Sequence, residues 1–164
     1  MTRSLLVLLT VAILAGLAHG QAPEKRRGWS YGFTGVGGTT GFDRGTLVHV
    51  GAGGERLLVN GFGMGGEIGY LKATRGFGDG LALISVNPSY HFVNTTSNGR
   101  VVPFITAGAS MAFRGGSSAG GANFGGGVQY WARERVGVRL EFRDHLFSSD
   151  SPHLYQFRVG IVFK

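Results

Sequence analysis

Two stretches near the C-terminal end of the chain, 136–147 and 154–164, alternate between apolar and polar residues. One face of each stretch carries valine, leucine, isoleucine and aromatic residues, while the other carries glycine, glutamine and full charges. A period of two predicts β-strands, and the polar break at 148–153 predicts that the two strands form a hairpin. The opposite faces therefore have opposite environments in the folded protein.

The same period of two predicts six more strands before this hairpin, at about 29–37, 46–52, 57–71, 81–93, 101–113 and 121–131. Ala52–Arg56 is predicted as a tight glycine turn and Arg114–Gly120 as a small-residue loop. Pro88 lacks an N–H donor, so it predicts a bulge or a local break in the fourth strand. Most strands are near the 9–11 residues that cross a bilayer obliquely. An even number of strands places both termini on the same side.

The pattern predicts an all-β fold, an eight-stranded antiparallel up-and-down transmembrane β-barrel. A soluble lipocalin-like barrel that binds a small hydrophobic ligand is the alternative, because alternation alone does not say which face meets water. Aromatic residues near both strand ends favour the membrane barrel, since membrane interfaces prefer such girdles. The predicted girdle consists of Trp29, Tyr31, Tyr70, Phe92, Tyr130, Trp131, Tyr155 and Phe163.

The N-terminal end predicts export. Residues 1–20 read as a cleaved signal peptide, because Arg3 is followed by an apolar run, Leu5–Leu17, that is too short to span a bilayer and then by small residues. Residues 21–28 form a short polar lead-in, and 29–164 form the barrel domain. An exported chain without cysteine fits a bacterial envelope protein better than a disulfide-stapled secreted scaffold.

Composition changes the picture in two ways. The formal net charge is +7, but the basic residues are spread along the chain, which argues against nucleic acid as a partner. Glycine accounts for 31 of the 164 residues, well above the usual ~7%. Because apolar and aromatic residues alternate between the glycines, we interpret them as sites of bending and close backbone approach in tilted strands rather than as disorder.

Five charged residues fall on the polar faces of the predicted strands: Glu67, Arg139, Glu141, Arg143 and Arg158. The interior of an eight-stranded barrel is just wide enough for side chains to fill it, and buried charges must pair. We therefore expect a salt-bridged lumen, with a narrow gated ion path as the alternative. Eight strands leave no room for a wide diffusion pore.

Two sequence patterns resemble catalytic or binding motifs, but we interpret both as structural features without such a role. Gly61, Gly63 and Gly66 match G-x-G-x-x-G, but a strand pattern follows them where a nucleotide site needs a helix. The last loop gathers polar residues from which a metal site or a Ser/His hydrolase could be built: Asp144, His145, Ser148, Asp150 and His153. We predict a solvated loop, no cofactor, no metal and no enzyme activity.

Four short segments resemble the family of small eight-stranded outer-membrane β-barrel proteins of bacteria: VPF at 102–104, AGA at 107–109, NFGGGV at 123–128 and GVRLEFRD at 137–144. The resemblance covers roughly residues 29–164. Phe163 resembles the aromatic end that such proteins offer to the barrel-assembly machinery, although Lys164 follows it where the family usually ends. An outer-membrane lipid A deacylase is a second comparison, but this chain lacks the His-x-Ser-Asn run of those enzymes.

The resemblance implies a monomer in the outer membrane of a two-membrane bacterium, with a structural or envelope-integrity role. The partners implied are outer-membrane lipid, lipopolysaccharide and, through the C-terminal strand, the barrel-assembly machinery. Lys72, Arg75 and Arg114 lie at strand ends that would face outside and could meet lipid phosphates. An outer-membrane lipid A hydrolase is kept as an alternative.

Overall fold

The computed structural model describes residues 28–40, 46–74, 80–93, 99–148 and 153–164. The predicted signal peptide, most of the lead-in, and Arg75 and Asp150 lie outside these residues. Eight strands are present: β1 (Gly28–Thr40), β2 (Thr46–Val59), β3 (Phe62–Ala73), β4 (Leu81–His91), β5 (Val101–Arg114), β6 (Ser117–Trp131), β7 (Val136–Phe147) and β8 (His153–Phe163).

Each strand pairs antiparallel with the next, and β1 pairs with β8, so the sheet closes into a barrel. The predicted eight-stranded antiparallel fold is confirmed. We name the end where β1 begins and β8 ends the terminus end, and the opposite end the loop end. Within the described residues no helix is long and apolar enough to cross a membrane.

The predicted turn at Ala52–Arg56 is wrong, because β2 continues through it to Val59. The chain reverses instead at Asn60 and Gly61, whose φ angles are 44° and 88°. Both angles lie in the left-handed region that two-residue hairpin turns require, and Asn-Gly is the dipeptide that adopts it most readily. This correction places Glu55 inside a strand, on the same face as His49 and Leu57.

The predicted loop at Arg114–Gly120 is also shorter than expected. β5 runs to Arg114 and β6 starts at Ser117, so the turn consists of Gly115 and Gly116, both with positive φ. β7 pairs with β6 only as far as Gly121. The β5–β6 hairpin therefore extends past the last paired residue of its neighbour at the loop end.

Pro88 produces a local break and no bulge. β4 pairs with β3 through Pro88, but its pairing with β5 skips Asn87 and Pro88 and resumes in the same register. The missing N–H explains the gap, because proline cannot donate to the β5 side of the ladder. The Thr106 hydroxyl donates to the Pro88 carbonyl oxygen at 3.0 Å and joins the two strands at the gap.

The outer surface of the barrel is an apolar belt. Large apolar side chains are exposed along all strands, among them Val50, Ile68, Val86, Ile105, Leu140, Phe157 and Ile161. In the described part of the chain, exposed charged side chains occur only near strand ends and in connections. A continuous apolar surface of this extent is what a lipid-facing barrel presents and what a water-soluble barrel avoids.

The predicted aromatic girdle is partly wrong. Five of its members project outward on the belt: Tyr70, Phe92, Tyr130, Tyr155 and Phe163. Trp29, Tyr31 and Trp131 do not, because their side chains are buried inside the barrel at 7%, 5% and 8% exposure. In β1 the outward positions carry Ser30, Gly32 and Thr34 instead. Neither face of β1 bears a charge, so its alternation gave no sign of which face points inward.

Candidate functional site: the charged interior of the barrel

The five charged residues predicted for the lumen lie together at mid-height inside the barrel. Four of them form a ring in which each carboxylate contacts two guanidinium groups. Arg143 and Arg158 each donate to Glu67 Oε2 at 2.9 Å, and their other guanidinium nitrogens contact Glu141 Oε1 at 2.5 and 2.6 Å. β3, β7 and β8 supply these residues, which are no more than 8% exposed.

Arg139 extends the ring toward β2 and β4. Its Nε donates to Glu141 Oε2 at 2.9 Å, and its Nη1 donates to Glu55 Oε2 at 3.1 Å. The other oxygen of Glu55 contacts His91 Nε2 at 2.6 Å and accepts a hydrogen bond from Ser89. We call the six residues Glu55, Glu67, Glu141, Arg139, Arg143 and Arg158 the central network.

The central network is balanced in charge, since three carboxylates face three guanidinium groups. This balance matters because an unpaired charge in a dry interior costs several kcal/mol. The Tyr31 hydroxyl donates to Glu67 Oε1 at 2.7 Å and satisfies a further lone pair. Each of the three carboxylates therefore accepts hydrogen bonds from at least one arginine of the network.

The inward aromatic residues contact the same guanidinium groups. The Arg139 guanidinium carbon lies 3.9 Å from the centre of the Phe104 ring and 4.7 Å from that of Tyr31. The Arg158 guanidinium lies 4.3 Å from the Phe33 ring centre. Cations attract aromatic faces most strongly where water is excluded. Burial of Tyr31 inside the barrel therefore has a physical reason that the strand pattern alone does not contain.

Glycines on neighbouring strands make room for the large inward side chains. A Cβ atom added at Gly53 would lie 2.8 Å from the Tyr31 ring, and one at Gly127 would lie 2.9 Å from the Phe104 ring. One at Gly63 would lie 2.9 Å from the Glu55 carboxylate. Glycine at these three positions therefore permits close packing of the large side chains in the lumen.

Two buried apolar clusters lie inside the barrel, one on each side of the central network. At the terminus end the cluster contains Trp29, Tyr31, Phe33, Val102, Trp131 and Val162. At the loop end a second cluster contains Leu71, Leu83, Ala112 and Leu154, with Leu47, Leu81 and Phe147 packed against it. In the described strands, the charges are therefore separated from both barrel ends by apolar side chains.

Neutral polar residues fill the space between the network and the loop-end cluster. His49 Nδ1 lies 2.8 Å from Gln156 Oε1, and His145 Nδ1 lies 2.9 Å from the Ser110 hydroxyl. Ser110 also contacts Ser85 and accepts a hydrogen bond from Asn123, each at 2.9 Å. This layer continues the hydrogen-bonded packing of the lumen toward the loop end.

Those polar residues of the last loop that the structure describes do not assemble into one site. His153 Nδ1 lies 2.8 Å from Asp144 Oδ2, but His145 points into the barrel and is fully buried. The Ser148 hydroxyl donates to the Gly120 carbonyl oxygen at 3.4 Å. Among the described residues no three potential ligands come close enough to hold a metal ion. The G-x-G-x-x-G match falls on the β2–β3 turn and on β3, with no helix after it.

Sequence reasoning missed Glu55 and His91 as members of the interior charge system. Glu55 was missed because the turn was placed on it, although Asn60-Gly61 is the stronger turn signal. His91 shares the inward face of β4 with Ser89, but its contact with Glu55 depends on how β2 and β4 lie across the lumen. Only the closed barrel brings these two strands within reach.

Comparisons with known proteins agree with this architecture. No protein-family model matches the chain, and no curated protein matches it in sequence. Among solved structures, Neisserial surface protein A matches with a TM-score of 0.66 and 13% identity, covering 84% of this chain and 95% of that one. The N-terminal barrel domain of Pseudomonas aeruginosa OprF matches with a TM-score of 0.61 and 15% identity, covering 83% and 96%.

Ail, the attachment invasion locus protein of Yersinia pestis, matches with a TM-score of 0.54 and 15% identity, covering 83% of this chain and 95% of that one. All three are small eight-stranded outer-membrane barrels. At sequence identities this low, the structural matches establish the fold alone and not the biochemical role. The resemblance noted in the sequence is confirmed at that level: the chain has the fold of the small eight-stranded outer-membrane β-barrels.

Proposed function

We propose that this protein is an outer-membrane barrel with a structural role in envelope integrity and with a lumen that conducts ions poorly or not at all. The observation that carries the proposal is the filling of the lumen. A neutral, hydrogen-bonded central network lies between two buried apolar clusters. An ion would have to cross both clusters, and an apolar constriction of this kind excludes water.

The apolar belt supports a membrane location. Exposed valine, isoleucine, leucine and phenylalanine residues surround the barrel, and aromatic residues stand near both of its ends. A predicted signal peptide at 1–20 supplies the route of export. The alternative of a soluble ligand-binding barrel is not favoured, because the interior that would hold the ligand is occupied by side chains.

The loop end supports contact with lipopolysaccharide. Tyr70, Phe113 and Arg114 line a shallow depression on the outer surface, and Lys72 follows Tyr70 on the same face of β3. Exposed aromatic rings beside cations suit a lipid whose acyl chains and phosphates lie at that depth. Arg75, the third cation proposed for this contact, lies outside the described residues.

The C-terminal strand supports assembly by the barrel-assembly machinery. Phe163 is exposed on the outer surface, while the Lys164 ammonium lies 3.8 Å from the Trp131 ring centre at the barrel opening. Phe163 thus presents an outward-facing aromatic ring at the end of β8, while the Lys164 side chain turns toward the barrel opening. We propose a monomer, since closure of β1 on β8 leaves no sheet edge for a partner to extend.

An enzyme function has little support in the described residues. Asp144 and His153 form a pair, but the Ser148 hydroxyl is directed to a backbone oxygen. A hydrolase of the Ser/His type needs the serine hydroxyl to be hydrogen-bonded to the histidine that acts as its general base. The outer-membrane lipid A hydrolase alternative is therefore not favoured.

Conductance across planar bilayers tests the proposal. We expect the purified protein to insert and to give no long-lived open level, because the apolar clusters exclude ions. Replacement of Trp131 and Leu154, one residue from each cluster, with serine should create or increase a conductance. A steady, voltage-independent open level in the unchanged protein would contradict the proposal, and the narrow-channel alternative would replace it.

A further inference from the structure

The terminus end of the barrel carries a group of exposed cations outside the central network. Exposed basic residues at this end are Arg56, Arg100, Arg133, Arg135 and Lys164. Of the acidic residues that the structure describes, only Glu134 is exposed there. At the loop end the described exposed side chains include two lysine or arginine residues, Lys72 and Arg114. Among the described residues, the exposed cations are therefore concentrated at the terminus end.

Backbone hydrogen bonds bring three of these arginines into one sector of the rim. The Trp131 amide donates to the Arg100 carbonyl oxygen at 2.8 Å, which places Arg100 beside the end of β6. The Arg133 amide donates to the Val136 carbonyl oxygen at 3.0 Å and closes the β6–β7 turn. Arg100, Arg133 and Arg135, which we call the rim arginines, therefore lie on two neighbouring connections.

The depth of the rim arginines relative to the belt indicates what they meet. Arg135 directly precedes Val136, which is exposed on the belt, and Arg133 lies three residues after exposed Tyr130. Because a strand residue spans at most about 3.3 Å, the two charges lie within roughly 10 Å of the apolar surface. The headgroup region on each side of a bilayer is about 5–8 Å thick. Charges at this distance therefore lie among lipid phosphates.

We propose that the rim arginines form a binding surface for the phosphate groups of anionic phospholipids in the leaflet at the terminus end. Guanidinium groups suit this ligand, because their planar donors match phosphate oxygens in pairs. Exposed Tyr130 and Phe163 lie beside the cations and meet the upper part of the acyl chains. The inference rests on the proposed membrane location and goes beyond it by assigning a lipid class to one leaflet.

The lack of cysteine in the sequence makes a local test possible. A fluorophore on Ala132→Cys, an exposed position in the β6–β7 turn, reports the lipid next to the rim arginines. The labelled barrel is reconstituted in phosphatidylcholine vesicles with headgroup-spin-labelled phosphatidylglycerol or with phosphatidylcholine that carries the same spin label. A probe on Ser118→Cys at the loop end is the matched control for position.

We expect phosphatidylglycerol to be enriched near the Ala132 probe by about fivefold for each rim arginine in contact, and less at high salt. The double variant Arg133→Glu/Arg135→Glu should remove this preference, whereas Lys72→Glu/Arg114→Glu should leave it unchanged. Equal quenching by both lipids in the unchanged protein would overturn the inference, as would a preference that survives the double variant. The inference would also be overturned if the labelled barrel were retained on anionic glycan strands and showed no preference for phosphatidylglycerol.

Insertion is scored separately, by the heat-modifiable mobility of each labelled barrel. A variant that inserts and loses only the phosphatidylglycerol preference supports the inference. A protein that does not insert at all contradicts the proposed membrane function instead. The two failures are thereby distinguished.

Discussion

Glu141→Ala is expected to lower the free energy of unfolding by about 3–5 kcal/mol. Glu141 is the residue of the central network that contacts all three of its arginines: Arg143 and Arg158 through Oε1 and Arg139 through Oε2. Removing it leaves three guanidinium groups facing two carboxylates in an interior that excludes water. The measurement is urea unfolding of the barrel in lipid vesicles, followed by tryptophan fluorescence.

Glu134→Ala is the matched control, because Glu134 is an exposed residue of the β6–β7 turn. Its effect should stay within about 0.5 kcal/mol, as for surface substitutions in general. A Glu141→Ala barrel that is as stable as the Glu134→Ala barrel would mean that water reaches the central network. The lumen would then be hydrated, and the closed-barrel account would fail.

Leu140→Arg is expected to destabilise the barrel in lipid by about 2–4 kcal/mol, the cost of an arginine at the bilayer midplane. Leu140 is 57% exposed and lies midway along the outward face of β7. Val136, on the same face and strand, lies next to the rim arginines at the terminus end. Val136→Arg should therefore cost only about 0–1 kcal/mol.

The comparison of these two variants separates a lipid-facing surface from a water-facing one. Both positions are exposed, so a soluble barrel would accept arginine equally well at either. Urea unfolding in vesicles of the same lipid gives both free energies under the same conditions. Equal stabilities for Leu140→Arg and Val136→Arg would contradict the membrane orientation of the apolar belt.

The inward face of a strand could be predicted from the sequence only where one face carries charged residues. In β7 the alternation of Arg139, Glu141 and Arg143 with apolar residues identified the inward face, and the structure places these three side chains in the lumen. In β1 neither face carries a charge, so Trp29 and Tyr31 were assigned to the wrong side. A two-residue period identifies which residues share a face of the strand. The direction in which that face points is indicated only by a charge on it or by a known neighbour.

The individual ion pairs of the central network could not be predicted from the sequence, for a different reason. Glu55 and Arg139 are 84 residues apart and meet across the lumen. Their contact depends on the closure of the barrel and on the relative height of non-adjacent strands, neither of which local alternation records. The position of the β2–β3 turn could have been predicted, since Asn60-Gly61 marks it. That turn would have placed Glu55 within a strand, and its charge would then have marked the polar face.

The most direct test of the membrane-barrel account is the heat-modifiable mobility of the protein extracted in mild detergent from isolated outer membranes. A closed transmembrane barrel resists unfolding in cold detergent, because every strand is paired on both sides and no edge can fray. We predict a compact, fast-migrating band that shifts to the unfolded position on boiling. Release by periplasmic washing, with no mobility shift, would contradict it and would place the apolar belt in contact with something other than lipid.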